Sequence, residues 1–220
     1  MASSVKEISN KKLSNYLSSL GNEFHFRSGQ VLWEQDDFAD WTMVVSLGVL
    51  KLQRKWPSGT QTILGLCNRG TILGEEAVFS EKTRTTSCTA IAHGKGIRVP
   101  KQKIAQALQN QDIALALLNL SSRRLESMLQ RMEELLDGSV ENRLASTLLR
   151  LGNNMGISDG RGLFIPIRLT RGELAEFIGC RAETTTRLMT KWKRDGVVDT
   201  QREGIVINDL SALNLIAQQS

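Results

Sequence analysis

The chain has 220 residues, of which 40% are hydrophobic and 23% are charged, a composition typical of globular proteins rather than disordered ones. Because domains cluster near roughly 100 to 150 residues, this length suits two domains better than one. No apolar run approaches the ~18 residues that a bilayer requires, so we expect a cytoplasmic protein without a membrane partner. The formal net charge of +5 favours a polyanionic partner.

The cysteines and histidines exclude several sensor chemistries. Cys67, Cys88 and Cys180 lie too far apart for a paired zinc motif or a disulfide framework, and we predict reduced, packed thiols. An iron–sulfur cluster needs four thiolates, so we expect no iron–sulfur cluster in this chain. Neither His25 nor His93 lies in a haem-binding motif, and haem is not expected either.

The N-terminal part is predicted to be a jelly-roll-like β-barrel or a sandwich, preceded by an amphipathic helix from Ser9 to Leu20. Between Phe24 and Pro100, glycines separate short β-rich runs, which is the pattern of many short strands. The predicted strands are Gln30–Trp33, Trp41–Val45, Val49–Arg54, Thr60–Leu66, Ser87–Ala92 and Gly96–Val99. We expect the helix to cover one end of the barrel.

A long helical segment is predicted from Lys101 to Leu136, where neither glycine nor proline interrupts the chain. Leu118, Leu125 and Met132 follow one another at intervals of seven residues, the spacing of a coiled-coil seam. The apolar residues that accompany them are Met128, Leu129, Leu135 and Leu136. We favour a seam between two subunits over the alternative, a helix that packs only on its own barrel.

A hinge is predicted where this helix ends. Asp137 and Gly138 break the helix, and Ser139 can cap the next one, so two rigid parts would meet here. Motion at this point could carry a signal along the chain.

The C-terminal part has the pattern of a winged helix-turn-helix. Thr170 and Glu173 are spaced as a capping box that starts a first helix, and Gly179 supplies the turn that follows it. A second helix is predicted over Ala182–Arg194, and its buried stripe consists of Leu188, Met189 and Trp192. The two strands of the wing are predicted at Val197–Thr200 and Gly204–Ile207.

Charge is concentrated in this motif, since residues 166–194 contain seven cations and three anions and so carry +4. The second helix of such a motif enters the major groove of duplex DNA, and Glu183, Thr186 and Arg187 lie opposite its apolar stripe. Arginine can donate to guanine and a carboxylate can accept from cytosine, so Arg187 and Glu183 are the predicted base-reading pair. The alternative is a solvated i, i+4 ion pair between them. The predicted phosphate contacts are Thr170, Arg171, Arg181 and Lys191.

These residues resemble the signature of a known family. The run Leu-Thr-Arg-Gly-Glu-Leu-Ala-Glu-Phe-Ile-Gly-Cys-Arg-Ala-Glu-Thr-Thr-Thr-Arg at Leu169–Arg187 is similar to the helix-turn-helix of the CRP/FNR family. The resemblance implies that Glu183 and Arg187 read a TGA-like half-site core. Because Ala182 stands where the cyclic-AMP branch has a further arginine, the FNR-like branch and its TTGA-type half-sites are the nearer match.

The resemblance runs over nearly the whole chain and implies its architecture and partners. The implied fold is α+β, with a sensory barrel of the cyclic-nucleotide-binding type over residues 1–108. A long coiled-coil dimerisation helix with its hinge would follow over residues 109–138, and a winged helix-turn-helix DNA-binding domain over residues 139–220. A family member of this kind would be a homodimeric transcription regulator that binds palindromic duplex DNA and contacts RNA polymerase.

A second stretch, Gly74-Glu75-Glu76-Ala77-Val78-Phe79 followed by Arg84 and Thr85, has the chemistry of an anion cradle. Backbone donors of a glycine loop and an arginine ten residues later can hold a phosphate, and Glu75 can accept from a ribose hydroxyl. The stretch resembles the phosphate-binding cassette of the family. The resemblance implies that the residues contacting the ribose and phosphate of a cyclic nucleotide are Gly74, Glu75, Arg84 and Thr85.

Two departures from the family pattern leave the effector open. Glu76 replaces a residue that is usually apolar, and Met128 and Leu129 replace the hydroxyl pair that contacts adenine in the cyclic-AMP branch. Each lost hydrogen bond to the base is worth on the order of 1 kcal/mol. The alternatives are cyclic AMP, another cyclic nucleotide, a cyclic dinucleotide, or no ligand at all.

The sequence favours a DNA-binding regulator over other classes of function. The sequence contains no P-loop, nucleophile elbow, H-E-x-x-H or convincing carboxylate pair, so an enzyme is not expected. A nucleotide-binding regulatory module of a larger assembly would need only the barrel, and the helix-turn-helix argues against it. A DNA-binding regulator that acts without an effector is the third alternative.

Overall fold

The computed structural model describes residues 10–79, 83–158, 160 and 162–218. The chain forms two compact units. The first contains the chain up to Thr60 and Leu64–Ser127, and the second contains Gln61–Ile63 and Met128–Ser220. The described chain is α+β, as predicted, because strands dominate the first unit and helices the second.

Before the long helix, the described residues form one N-terminal helix, eight short strands and two further helices. These elements are α1 (Asn10–Ser19), β1 (Asn22–Phe26), β2 (Val31–Trp33), β3 (Trp41–Leu47), β4 (Leu50–Lys55), β5 (Gln61–Cys67), β6 (Ile72–Leu73), α2 (Glu76–Phe79), β7 (Ser87–Ala90), β8 (Gly94–Pro100) and α3 (Lys101–Ala107). The six predicted strands are confirmed with shifted ends, and β1 and β6 are additional.

The strands form two four-stranded sheets with the orders β1-β8-β3-β6 and β2-β7-β4-β5. This roll of two sheets, hereafter the β-roll, agrees with the predicted jelly-roll-like architecture. Its aromatic core lies around Trp33 and Trp41, whose rings meet edge to face with centroids 5.1 Å apart. The predicted N-terminal helix is confirmed as α1 from Asn10 onward, and its predicted first residue, Ser9, lies outside the described residues. The helix buries Leu13 and Leu17 in a second apolar cluster.

The long helical segment predicted from Lys101 is interrupted, which corrects the prediction. After α3 ends at Ala107, the helix α4 begins at Gln111 and runs to Asp137. The break needs no glycine or proline, because Asn110 accepts a hydrogen bond from the amide of Asp112 (2.9 Å) through its side chain. A side chain that bonds to the backbone can start a new helix instead of continuing the preceding one. Asn110 was therefore the sequence signal for the break, and the apolar periodicity of the segment concealed it.

The helix α4 buries its beginning and exposes an apolar stripe further along. Ile113 and Leu117 are buried in the same cluster as α1. The exposed stripe contains the seven predicted seam residues, Leu118, Leu125, Met128, Leu129, Met132, Leu135 and Leu136, each at least 47% exposed. The helix therefore packs on its own domain through its beginning and through Arg124, while the stripe stays exposed.

The second unit contains the remaining helices and a small sheet. Its elements after α4 are α5 (Val140–Met155), β9 (Ile157–Ser158), β10 (Leu163–Ile165), α6 (Arg171–Ile178), α7 (Ala182–Arg194), β11 (Val198–Gln201), β12 (Gly204–Ile207) and α8 (Leu210–Gln218). The sheet has the order β11-β12-β10-β9 and is antiparallel throughout. The predicted wing is confirmed as β11 and β12, whereas β9 and α8 were not predicted.

The helix-turn-helix forms where local signals required it. Thr170 and Glu173 make both hydrogen bonds of the capping box at the start of α6. Gly179 ends α6 with a φ of 66°, a left-handed conformation that favours glycine. The predicted Ser139 cap of α5 is also confirmed, since its side chain accepts from the amide of Asn142.

Candidate nucleic-acid interface and effector cassette

The first turns of α7 present a polar face whose charged side chains have no partner among the described residues. Glu183 and Arg187 are exposed, and no described residue forms an ion pair or hydrogen bond with either side chain. Thr186 is exposed as well, and its hydroxyl donates to the carbonyl of Ala182 over 2.9 Å. The predicted stripe of Leu188, Met189 and Trp192 is buried on the other face. The base-reading candidates are thus held together on one accessible surface.

The opposite face of α7 is fixed by an acceptor that the sequence analysis missed. Glu141, in the first turn of α5, accepts through Oε1 from the indole nitrogen of Trp192 over 3.1 Å. The same oxygen lies 3.0 Å from Nζ of Lys191. A buried indole N–H requires an acceptor, so the tryptophan itself was the signal that a partner exists.

The side chains of the four predicted phosphate contacts differ in whether they already bond to other residues of the protein. Arg181 is exposed, and no described residue engages its guanidinium. Arg171 is half-buried and donates to the hydroxyl of Thr200 in the wing over 2.9 Å, and burial lowers its pKa. The hydroxyl of Thr170 is part of the capping box, and Lys191 is paired with Glu141.

Two arginines outside the motif hold the end of α6. Nη2 of Arg131, on α4, donates to the carbonyl of Phe177 over 3.0 Å, and its guanidinium lies 5.0 Å from that ring. Nε of Arg143, on α5, donates to the carbonyl of Ile178 over 2.9 Å. Burial lowers the pKa of Arg131 to about 10, so it stays charged at neutral pH. Cations at a helix C-terminus satisfy its free carbonyls and its dipole.

The cassette of the β-roll brings three of its four predicted residues together. Gly74 has a φ of 75°, and a Cβ there would lie 2.3 Å from Nη1 of Arg84. The same arginine nitrogen donates to the Gly74 carbonyl over 3.3 Å. Glu75 is buried beside them, whereas Thr85 is exposed. Only glycine fits at position 74 on both counts, its backbone conformation and the approach of the arginine.

Arg84 is fully buried and lies against two aromatic rings. Its guanidinium carbon is 4.4 Å from the ring centre of Trp33 and 5.1 Å from that of Trp41. Nη2 donates to the Trp41 carbonyl over 2.5 Å, and Nη1 lies 3.7 Å from a carboxylate oxygen of Glu76. Burial lowers the pKa of Arg84, and the charges of Glu76 and Asp40 oppose that shift.

Glu75 is paired with a residue of α4 rather than left open. Its Oε1 accepts from Nη1 of Arg124, whose Nη2 donates to the carbonyl of Ile72. Two buried polar atoms of the cassette, Oε2 of Glu75 and Nε of Arg84, have no hydrogen-bond partner among the described residues. One free acceptor and one free donor fit a small polar ligand that carries both a hydroxyl and an acceptor oxygen.

The remaining effector candidates lie on α4. Met128 is 57% exposed and Leu129 is 56% exposed, and both belong to the second unit. The thiols of Cys67 and Cys88 are free and buried as predicted, and burial raises the pKa of Cys67 to about 12. Among the described residues, no cluster of His, Cys, Asp or Glu could hold a metal ion. None of the described helices combines the length and apolar character needed to cross a bilayer.

Two family models match the chain, one in each half. Residues 23–111 match the cyclic nucleotide-binding domain, and residues 142–216 match the Crp-like helix-turn-helix domain. The first range covers the β-roll with its cassette, and the second covers α6, α7 and the wing.

Curated relatives align over most of both lengths. The CRP-like cAMP-activated global transcriptional regulator of Mycobacterium tuberculosis is 23% identical over 86% of this chain and 84% of its own. The anaerobic regulatory protein of Bacillus subtilis is 24% identical over 93% of this chain and 87% of its own. The cAMP-activated regulator CRP of Salmonella typhimurium is 26% identical, over 83% and 87% of the two chains.

Solved structures share the fold. FixK2 of Bradyrhizobium japonicum superposes with a TM-score of 0.81 at 17% identity, over 91% of this chain and 98% of that one. The c-di-GMP responsive regulator CLP of Xanthomonas campestris superposes with a TM-score of 0.75 at 20% identity, over 90% and 98% of the two chains. These structures show the fold alone. The two domain matches, which together span residues 23–111 and 142–216, and the aligned regulators show that the chain belongs to the CRP/FNR family, a family of DNA-binding transcription regulators rather than enzymes.

Proposed function

We propose that this regulator binds a palindromic operator with TTGA-like half-sites as a homodimer and that a small molecule controls its affinity. The observation that carries the proposal is the free pair on α7, because Glu183 and Arg187 are exposed and engage no described residue. An arginine and a carboxylate on adjacent turns match a guanine and a cytosine at successive positions of a major groove. Arg181 and Arg171 would contact the flanking phosphates.

The exposed stripe of α4 supports the homodimer. A row of leucines and methionines at heptad spacing loses its contact with water when two copies of the helix pair. In a two-fold dimer, the recognition helices reach successive major grooves about 34 Å apart, so the operator is an inverted repeat. RNA polymerase is the further partner that we propose. The proposed compartment is the cytoplasm, where the protein would encounter both the operator and the polymerase.

The cassette is the proposed control site. Its free acceptor on Glu75 and free donor on Arg84 are the buried polar atoms that a ligand would satisfy. The alternatives for the ligand are a cyclic nucleotide and a cyclic dinucleotide, with Gly74, Glu75, Arg84 and Thr85 near its phosphate and ribose. Met128 and Leu129 would contact the base through apolar surface alone. Ligand binding would reach the recognition helices through α4 and the hinge at Gly138.

A second candidate function is a regulator that needs no effector. The pairing of Arg84 with Glu76 and of Glu75 with Arg124 favours it, since the main charges of the cassette have partners without a ligand. Both candidates share the DNA-reading surface and differ only in whether a small molecule changes operator affinity.

One experiment tests the shared claim and separates the two candidates. Fluorescence anisotropy would measure binding of the full chain to an inverted repeat of TTGA half-sites and to a duplex with the half-sites scrambled. We expect a preference of at least about a thousandfold for the inverted repeat, as is common for specific DNA binding. Repeating the titration with each cyclic mononucleotide and cyclic dinucleotide distinguishes ligand control from constitutive binding. Equal affinity for both duplexes in every ligand state would contradict the proposal.

A further inference from the structure

The charges of the cassette balance one another before any ligand binds. Arg84 and Arg124 contribute two positive charges, and Glu75 and Glu76 contribute two negative charges, in two ion pairs. We propose that Glu76 is a specificity-determining residue, because its carboxylate is the resident counter-ion of Arg84 and lowers the affinity of the cassette for cyclic phosphodiesters. This inference depends on the proposed function only in taking the cassette as the control site.

The position of Glu76 suits a counter-ion. Its carboxylate oxygen lies 3.7 Å from Nη1 of Arg84, while the arginine side chain is 0% exposed and that of Glu76 is 29% exposed. A buried cation without a nearby anion is costly, so Arg84 gains from this carboxylate in the unliganded protein. Glu76 is also the first residue of α2, so the backbone of that short helix holds the carboxylate beside the arginine.

Both terminal nitrogens of Arg84 already make a hydrogen bond inside the protein. Nη2 donates to the carbonyl of Trp41, and Nη1 donates to the carbonyl of Gly74. The guanidinium also lies against the Trp33 and Trp41 rings, and its Nε has no hydrogen-bond partner among the described residues. A phosphate is usually held by two parallel N–H groups of an arginine. A guanidinium whose two terminal nitrogens are already bonded to carbonyls, and which lies beside a carboxylate, is a poor phosphate receptor.

Electrostatics decides which ligands the cassette accepts. Each phosphodiester group of a cyclic nucleotide carries one negative charge, and its entry would add an uncompensated negative charge to the four-residue cluster in a poorly hydrated site. Removing the Glu76 carboxylate takes away one of the negative charges beside Arg84, where Asp40 acts more weakly, so a phosphodiester would be repelled less than in wild type. At effective dielectric constants near 20, two unit charges at contact distance interact strongly enough to change affinity by more than tenfold.

The test is a gain of binding in the full-length protein. Glu76→Gln removes the charge and keeps the shape of the side chain. Isothermal titration calorimetry would compare cyclic AMP, cyclic GMP and cyclic di-GMP on wild type and variant. We expect at least one of the three to bind Glu76→Gln at least about tenfold more tightly than wild type. Glu34→Gln, which removes the same charge from an exposed position of the β-roll, should leave every affinity unchanged.

The outcomes separate this inference from the proposed function. Equal affinities for wild type and Glu76→Gln, including no detectable binding to either, would overturn the role of Glu76. Thermal unfolding checks that the variant folds, and Glu76→Leu supplies a second reading if it does not. Operator binding of the unliganded wild type is measured on the same preparation. The same titration is repeated with each of the three ligands. No preference for the operator in any ligand state would contradict the proposed function, whereas operator binding without the tenfold gain would contradict only the role of Glu76.

Discussion

The recognition helix and the cassette contain the same kinds of charged residue but use them in opposite ways. On α7, Glu183 and Arg187 are exposed and have no described partner. In the cassette, Arg84 and Glu75 are buried and paired with Glu76 and Arg124. Groups that remain free can bind a partner from outside, whereas groups that satisfy one another stabilise the fold. Resemblance to a binding motif therefore predicts the local fold more reliably than it predicts the ligand.

The largest expected effect comes from removing a buried charge that is already paired inside the protein. Arg84→Met deletes the guanidinium between Trp33 and Trp41 and leaves the Glu76 carboxylate without its counter-ion. We expect a loss of about 2–4 kcal/mol in the free energy of unfolding, measured by urea denaturation. The matched control is Arg98→Met, since Arg98 lies 4.1 Å from the Trp41 ring but is exposed. That control should cost less than about 1 kcal/mol, and equal losses would mean that burial of Arg84 is unimportant.

A second prediction extends the comparison to α4, where Leu117 is buried and Leu125 is 60% exposed. Leu125→Lys places a charge in the proposed seam, so the protein should sediment as a monomer at micromolar concentration. Operator affinity should fall by at least about a hundredfold, because two linked recognition helices bind far more tightly than one. Gln130→Lys changes an exposed residue off the stripe and should leave the dimer intact. A dimeric Leu125→Lys protein would exclude the stripe as the seam.

The smallest expected effect concerns a residue that is exposed like Arg187 but paired like Arg84. Lys191 is exposed on the recognition helix but is paired with Glu141. Glu141→Gln keeps an acceptor for Trp192 and frees the lysine, so affinity for any duplex should rise a few-fold. The dependence of log affinity on log salt should steepen by up to about one unit if the freed lysine contacts a phosphate. An unchanged slope would place Lys191 away from the DNA backbone.

The helix-turn-helix could be predicted because its signals are local. The capping box of Thr170 and Glu173, the left-handed Gly179 and the apolar stripe of α7 lie within 25 residues of one another, and each specifies its own turn. Six strands of the β-roll also followed from alternation and glycines, apart from their ends, whereas β1 and β6 were missed. Short-range patterns of this kind survive in any tertiary context that agrees with them.

The chemistry of the cassette could not be predicted because its contacts are long-range. Arg84 meets the Trp41 carbonyl 43 residues away. Glu141 likewise meets Trp192 across 51 residues. Sequence spacing identifies which groups are available and leaves open which of them pair. The break between α3 and α4 was not predicted for another reason. The side chain of Asn110 starts a new helix there, although the sequence pattern around it is helical without interruption.

The central claim is that the exposed face of α7 reads base pairs, and base-by-base specificity tests it most directly. Wild type and Arg187→Ala would each be titrated against inverted repeats in which every half-site position is substituted in turn. We predict that Arg187→Ala loses about 1–3 kcal/mol of binding to the preferred sequence and loses its preference at one symmetric position, with the others unchanged. Equal weakening on all duplexes would contradict the account, because it would assign Arg187 to the phosphate backbone.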